Sequence, residues 1–278
     1  MFKMIQEEVR KEMNRVRFFI IISIIALSAS CVVAVMDGRY PESSWYPKSE
    51  YQRTLALKSG GTLSLENVNG NIKIQGWDEE KVEITAVEKR GYLRSPKFYI
   101  YGAHSLEPKI DLQTSDDMIS IKTSSAGKEE EFRLVNYDMR VPRSIKLKNI
   151  RNGQGNIQIT DIFGSVQINQ EEGDITMKNF SGSLDIALGS GSIEAELLDV
   201  RSEDEVRIKT EQGDIVLYLE PRVEAQLEAN APDGDISSEI DLKQPLPAKR
   251  ASAKLGEGKA TILLISLRGD IKIKKVEE

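Results

Sequence analysis

Between residues 155 and 195 one pattern of apolar and polar positions recurs. Glycine is followed by a small polar residue, then apolar, polar, apolar. The copies are Gly155-Asn156-Ile157-Gln158-Ile159, Gly164-Ser165-Val166-Gln167-Ile168, Gly173-Asp174-Ile175-Thr176-Met177, Gly182-Ser183-Leu184-Asp185-Ile186 and Gly191-Ser192-Ile193-Glu194-Ala195, each nine residues after the last. Apolar residues two apart define a half-buried strand. The glycine fits a corner that needs positive φ, and the Asp, Asn or Ser after it can bond neighbouring backbone. Further copies start at Gly70, Gly213, Gly234 and Gly269, the one at Gly234 degenerate because Ser238 stands at its second apolar place. A fixed period of turn plus short strand predicts stacked coils, an all-β, flattened β-solenoid, and not a core wrapped by long elements.

The eighth position of each copy sets the size of the coil. It is apolar in alternate copies, at Ile162, Phe180 and Leu198, and is Glu171 and Gly189 in those between. The period is therefore eighteen, two strands per coil, with Ile162, Phe180 and Leu198 stacked in one seam between two facing sheets. Trp77 holds the same place in the copy at Gly70, which makes it a core residue before a sugar-stacking one. The steps from 191 to 213 to 234 lengthen one corner, and that from 234 to 269 is longer still. Pro142-Arg143 and Pro221-Arg222 each end one strand and precede another, and proline suits a corner because it cannot donate to a ladder. Residues 91–132 are irregular and read as an insertion or as early strands of the same domain. The final strand, Ile271-Lys272-Ile273-Lys274-Lys275, carries lysines that discourage edge pairing, so it is expected to cap the stack.

Ahead of the repeats, residues 18–36 form an uncharged, mostly apolar run of roughly 28 Å as a helix, enough for a bilayer core. Lys3, Arg10, Lys11, Arg15 and Arg17 precede it, and fewer basic residues, Arg39 and Lys48, follow closely. The positive-inside rule puts 1–17 in the cytoplasm and the remainder outside a bacterial cell membrane. Two readings stay open. The run is a transmembrane signal anchor, or, with translation from Met13, a lipoprotein signal ending at Cys31, the lipidation candidate, although Ser28 stands where an aliphatic residue is usual. Residues 37–53 read as a polar tether with Tyr40, Trp45 and Tyr46 at the interface. The repeat domain occupies 54–278.

Leu63-x-Leu65-x-Asn67-x-Asn69-Gly70-Asn71-Ile72-x-Ile74-x-Gly76-Trp77-Asp78, then Val82-x-Ile84-x-Ala86, resembles the opening of the "putative adhesin" β-strand-repeat family, as do the Val141-Pro142 step and the serial Gly-Asp-Ile copies. The resemblance covers roughly 54–278. It implies a right-handed, solenoid-like β domain on bacterial envelope proteins, often behind a membrane anchor, with no established catalytic residues.

Composition narrows the chemistry. The chain of 278 residues has a net charge of −6, with one histidine (His104) and one cysteine. Internal disulfides and Cys/His metal sites are excluded, and there is no basic footprint for nucleic acid. Asp174, Asp214, Asp235 and Asp270, with Asn71 and Asn156, share one repeat position. Stacked about 4.8 Å apart, such carboxylates could recruit a hard cation; bonding of backbone at the turn is the competing role and accounts for the asparagines as well. No copy carries the glycine and aspartate set of the nine-residue calcium β-roll. Arg268-Gly269-Asp270 spells a cell-attachment tripeptide, but the repeat already demands Gly-Asp there. His104 has no partner pattern, and Asp116-Asp117 and Glu129-Glu130-Glu131 read as solvated loops. With no triad, metal cluster or convergent acid pair, the sequence points to a non-enzymatic, membrane-anchored envelope module for binding, adhesion or scaffolding, without cofactor. Its partner would be another envelope protein or a surface polymer. The alternatives are a carbohydrate-active β-helix enzyme and an envelope-stress signalling accessory.

Overall fold

The structure, a computed structural model, describes residues 33–35, 50–95, 98–101, 110–123, 131–243 and 245–276, in which strands and turns occur and no helix. Two compact units are present: Met1–Pro47 with Gly91–His104, and Lys48–Arg90 with Ser105–Glu278. In the first, the end of Lys81–Ser95 pairs antiparallel with Phe98–Tyr101, and Val33–Val35 pairs antiparallel with Phe98–Tyr101. Val33–Val35 lies inside the apolar run 18–36, so these three residues form a strand where a helix was expected. Among the described residues no helix is long and apolar enough to cross a membrane. The rest of that run, with Cys31, lies outside the described residues, as do His104 and residues 124–130. In the second unit strand pairing begins at Glu50, inside the expected tether.

The second unit is a β-solenoid of two parallel ladders. In one, Tyr137, Ile72, Ile157, Ile175, Ile193, Ile215, Ile271 and Ile236 are successive register partners. In the other, Ile119, Leu63, Leu147, Val166, Leu184, Val206, Ile262 and Leu227 are. All sixteen side chains are buried. Each coil contributes one strand to each ladder, so the predicted two-strand coil is the observed unit. Alternation places every second side chain in the seam, where burial of each large aliphatic is worth roughly 1.5–3 kcal/mol.

The coils do not stack in chain order. Along the axis they run 118–142, 62–77, 144–163, 164–181, 184–199, 205–219, 260–275 and 225–238. At each end the chain steps past one coil position. Both steps occur at the two Pro-Arg corners: 142–143 passes the coil already laid by 62–77, and 221–222 leaves a slot that 260–275 fills later. Such a step covers two coil spacings, about 9.6 Å, in place of about 4.8 Å. Arg143 secures the first. Its N–H bonds Trp77 O at 3.0 Å, its carbonyl accepts Phe163 N–H at 2.8 Å, and its guanidinium lies 2.7 Å from Asp78 Oδ1 and 3.6 Å from Asp161 Oδ1. The Asp78 carboxylate beside it holds its pKa above the usual arginine value.

Three expectations are corrected, the first at the end of the stack. Ile271–Lys275 is not a cap. It lies between Ile215–Leu219 and Ile236–Ser238, because Ile271 and Ile273 match the register of Ile215 and Leu217, whereas the degenerate copy at Gly234, with Ser238, can end the stack but not continue it. The edges are closed by reversed strands instead: Arg250–Leu255 runs antiparallel on Ala225–Asn230, Ile110–Thr114 on Met118–Thr123, and Glu50–Ala56 on Lys81–Ser95. This also assigns 110–123 to the early strands of the domain, with exposed Asp116 and Asp117 in a hairpin turn.

The seam column is Ile162, Phe180 and Leu197, not Leu198. Asp161 and Asn179 sit at φ 60° and 51°, each forming a one-residue bulge that carries the next side chain inward. The coil 184–199 lacks that bulge, so simple alternation buries Leu197 and leaves Leu198 half-buried. Glu171 is exposed as expected. Trp77 is not in the seam either: buried Gly76 takes the register opposite Val141, and half-buried Trp77 caps the corner. Its indole N–H donates to Lys81 O at 2.9 Å, with Lys81 Nζ and Arg140 Cζ at 4.9 and 5.7 Å from ring centroids.

Candidate functional site

Seven of the nine repeat glycines, Gly70, Gly155, Gly173, Gly191, Gly213, Gly234 and Gly269, line one corner, and Gly164 and Gly182 line the other. The first set includes the residue types that suggested chemistry. At Gly173, φ is 117° and a Cβ would meet Gly155 O at 2.2 Å, so both conformation and close approach demand glycine. The residue after each glycine bonds the coil beside it, not its own turn. Asn71 Oδ1 accepts from Asn156 N–H at 2.9 Å, Asn156 Oδ1 from Asp174 N–H at 3.0 Å, and Asp174 Oδ1 from Ser192 N–H at 2.9 Å. The ladder resumes where Asp214 Oδ1 accepts from Asp270 N–H at 2.8 Å and Asp270 Oδ1 from Asp235 N–H at 2.9 Å. The expected bonding within each turn is thus replaced by bonding between coils, because the corner points each N–H along the solenoid axis.

Behind this corner runs a buried polar column that the sequence reading missed. Three residues before the corner glycines stand Asn67, Asn152, Gln170, Thr210 and Ser266, all buried, with Leu188 at the same place before Gly191. They donate to carbonyls that the bend turns away from the ladder: Asn152 Nδ2 to Gly70 O at 3.0 Å, Gln170 Nε2 to Gly155 O at 2.7 Å, Ser266 Oγ to Gly213 O at 2.8 Å. At one end the column becomes a directed chain. Thr123 Oγ1 donates to Asn67 Oδ1 at 3.0 Å, which leaves it to accept from the Tyr137 hydroxyl at 2.8 Å; Asn67 Nδ2 donates to Asn152 Oδ1 at 3.2 Å. Burial pushes the Tyr137 phenol up to about 12. A polar residue three positions before five of the seven corner glycines was the available signal.

Residues 47–274 match the family model described as Toastrack DUF4097, which spans most of the chain. The chain belongs to this family. Solved structures to which the chain is similar include a "putative cell adhesion protein" from Clostridium sporogenes (14% identity, 83% of this chain and 100% of that one, TM-score 0.48). A "putative adhesin" from Bacteroides fragilis is 12% identical over 83% of this chain and 98% of its own, at TM-score 0.31. A "putative lipid binding protein" from Parabacteroides distasonis is 11% identical over 82% and 97%, at TM-score 0.33. The comparison with curated proteins found no match.

In this Toastrack domain the candidate acids are brought into one file but not around one point. Asp174 lies between Asn156 and Ser192 in the ladder, and Asp214, Asp270 and Asp235 follow one another on adjacent coils. Lys249 Nζ pairs with Asp235 Oδ1 at 3.0 Å. Among the described residues no group of three or more histidine, cysteine or carboxylate side chains is placed to hold a metal ion. The carboxylate of Arg268-Gly269-Asp270 is engaged in the ladder, and a Cβ on Gly269 would meet Gly213 O at 2.2 Å, so that tripeptide is a packed corner and not a projecting loop.

Two clefts among the described residues lie elsewhere on the Toastrack solenoid, on both sides of the corner that joins coils 184–199 and 205–219. One cleft, of about 360 Å³, is bounded by Leu198, Val200, Arg222 and Val223. The other, of about 480 Å³, crosses the outer face of the second ladder between Lys148, Gln167, Asp185 and Arg207. The step from Gly191 to Gly213, four residues longer than the eighteen of the regular coil, was its mark in the sequence.

Proposed function

We propose that this Toastrack protein is a non-enzymatic, membrane-anchored envelope module that binds or scaffolds. The observation that carries the reading is the corner ladder. Of the acids that a catalytic or metal-binding reading would use, Asp174, Asp214 and Asp270 each accept the N–H of the next coil and Asp235 accepts from Lys249 Nζ, so their carboxyl groups already serve the stack. An acid–base pair needs two carboxyl groups converging on one bond, with environments that push their pKa values apart. These acids follow one another in single file instead.

Anchorage rests on the apolar run 18–36, of which 33–35 pair as a strand, and on the basic residues before it; by the positive-inside rule these support a repeat domain on the far side of a bacterial cell membrane. Protease accessibility of the full chain in intact and permeabilised cells tests the topology. Digestion of the repeat domain in intact cells supports it; protection until the cytoplasm is opened refutes it. Loss of lipid labelling in Cys31→Ser would assign the lipoprotein form, and no effect the helical anchor. The non-catalytic part is tested by incubating the purified full chain with a polysaccharide panel. Turnover abolished by substitution of a single carboxylate would overturn it.

A further inference from the structure

The four extra residues between Gly191 and Gly213 build something. The turn they form is held on several sides: Arg201 N–H to Asp204 Oδ2 at 2.8 Å, Asp204 N–H to Arg201 O at 3.0 Å, and Ser183 Oγ to Asp204 Oδ1 at 3.1 Å. Ser183 Oγ in turn accepts Glu205 N–H at 3.3 Å. A corner lengthened in one coil and then fixed to its neighbour is how repeat proteins raise a wall beside a binding face. Here the wall carries Glu203 over the cleft of about 480 Å³.

We infer that this cleft binds a neutral, unbranched glycan chain laid along the solenoid axis, one sugar ring per coil. The inference rests on the binding-module reading above and names its ligand class. Lys148, Gln167, Asp185 and Arg207 come from four successive coils, so the row extends over three coil spacings, about 14 Å. The coil spacing is close to the length of one pyranose ring in an extended chain. Along the row Lys148 and Arg207 offer donors, Asp185 offers acceptors and Gln167 offers both, a set suited to hydroxyl groups. Two cations, Lys148 and Arg207, face three carboxylates, Asp185, Glu203 and Glu205, which gives no field to hold a phosphate polymer. An extended peptide is disfavoured for a different reason. Strand addition uses free backbone groups at a sheet edge, and every strand under this cleft is already paired on both sides. Beside the row stands Phe163, one of the exposed large apolar side chains. It lies at the Gly164 corner, two residues before Ser165, which lines the cleft, where its ring can take the apolar face of a sugar at the margin of the row.

The test is calorimetric titration of the full chain in detergent micelles with cello- and chito-oligosaccharides of two to six rings. Affinity is expected to rise with length up to four rings and then level off. Gln167→Ala, Asp185→Ala and Phe163→Ala should each weaken binding about tenfold or more at unchanged urea midpoint, while Lys272→Ala, on the other face, should not. Absence of binding across the panel overturns the inference and leaves the non-catalytic reading standing. So does binding without length dependence, or binding that the three variants leave intact. Tighter binding of an extended charged decapeptide, lost in Asp185→Ala, also overturns it in favour of a protein partner. Binding followed by cleavage of the oligosaccharide keeps the inference and refutes the non-catalytic reading.

Discussion

Replacing Gly173 with alanine isolates what the corner demands. At φ 117° the backbone disfavours an L side chain, a strain of about 1–2 kcal/mol. The new Cβ also meets Gly155 O at 2.2 Å, where ordinary contact begins at 3.4 Å, a shortfall of 1.2 Å. The obstacle is backbone already held in the stack, so no rotamer relieves it. Opening the coils by that amount is a quarter of the ~4.8 Å spacing and would stretch the ladder bonds on both sides. Overpacking of this kind adds about 1–3 kcal/mol, and alanine returns about 0.4–1 kcal/mol by stiffening the unfolded chain. The net expectation is a loss of about 2–4 kcal/mol. Gly60→Ala is the control, since Gly60 has φ 82° but nothing within 4 Å of a built Cβ. It should cost about 1 kcal/mol, from strain alone. Urea unfolding of both variants of the full chain, followed by far-UV circular dichroism, gives the comparison. Equal losses in the two would refute the close-approach argument.

Asp270→Asn keeps an Oδ1 acceptor for Asp235 N–H and relieves the run of three carboxylates, so it should be neutral or slightly stabilising, whereas Asp270→Ala should cost about 1 kcal/mol; a rise in melting temperature on adding calcium, lost in both variants, would favour the cation reading instead. Tyr137 gives a pH signature. Its folded pKa of about 12 exceeds the unfolded value near 10, so the protonated form's contribution is complete below pH 10 and is lost as pH rises through 12, about 2–3 kcal/mol in all. Urea midpoints of the wild type and Tyr137→Phe between pH 8 and 12 should converge by about that amount, and parallel pH curves would contradict the assignment. Arg143→Ala removes the tie between Asp78 and Asp161 at the first skipped coil and should cost about 1–2 kcal/mol, more than the ≤0.5 kcal/mol expected of Glu171→Ala on the exposed surface.

The two-strand coil was legible in the sequence because glycine spacing and alternate apolar positions are local. Ile162 and Phe180 were placed correctly by that pattern. Leu198 was not, because a single left-handed residue, Asp161 or Asn179, shifts the alternation by one, and the coil after Asn179 lacks such a bulge. Trp77 misled for the same reason: Gly76 occupies the inward place. Coil order was hidden for a deeper cause. Every coil offers nearly the same aliphatic register, so nothing in Ile271 or Ile273 states which neighbour will receive them. Pro142-Arg143 and Pro221-Arg222 were read as corners, and only their positions in the stack reveal them as double steps. At the candidate site the corner acids were found by repetition, but their inter-coil bonds depend on which coil is adjacent. The cleft beside 199–204 draws on residues from four coils and has no contiguous signature beyond a longer spacing.

Deletion of one coil tests the architecture most directly. Removing residues 164–181 takes away one strand from each ladder and joins Phe163 to Gly182, the glycine that follows Gly164 in the same corner column. Because each coil touches only its neighbours, the shortened chain should unfold cooperatively in urea with β-type circular dichroism and a modestly lower midpoint. Removing 164–172 alone sends Ile175 and all later strands toward the wrong ladder and should abolish the cooperative transition. A nine-residue deletion as stable as the eighteen-residue one would contradict the two-strand coil.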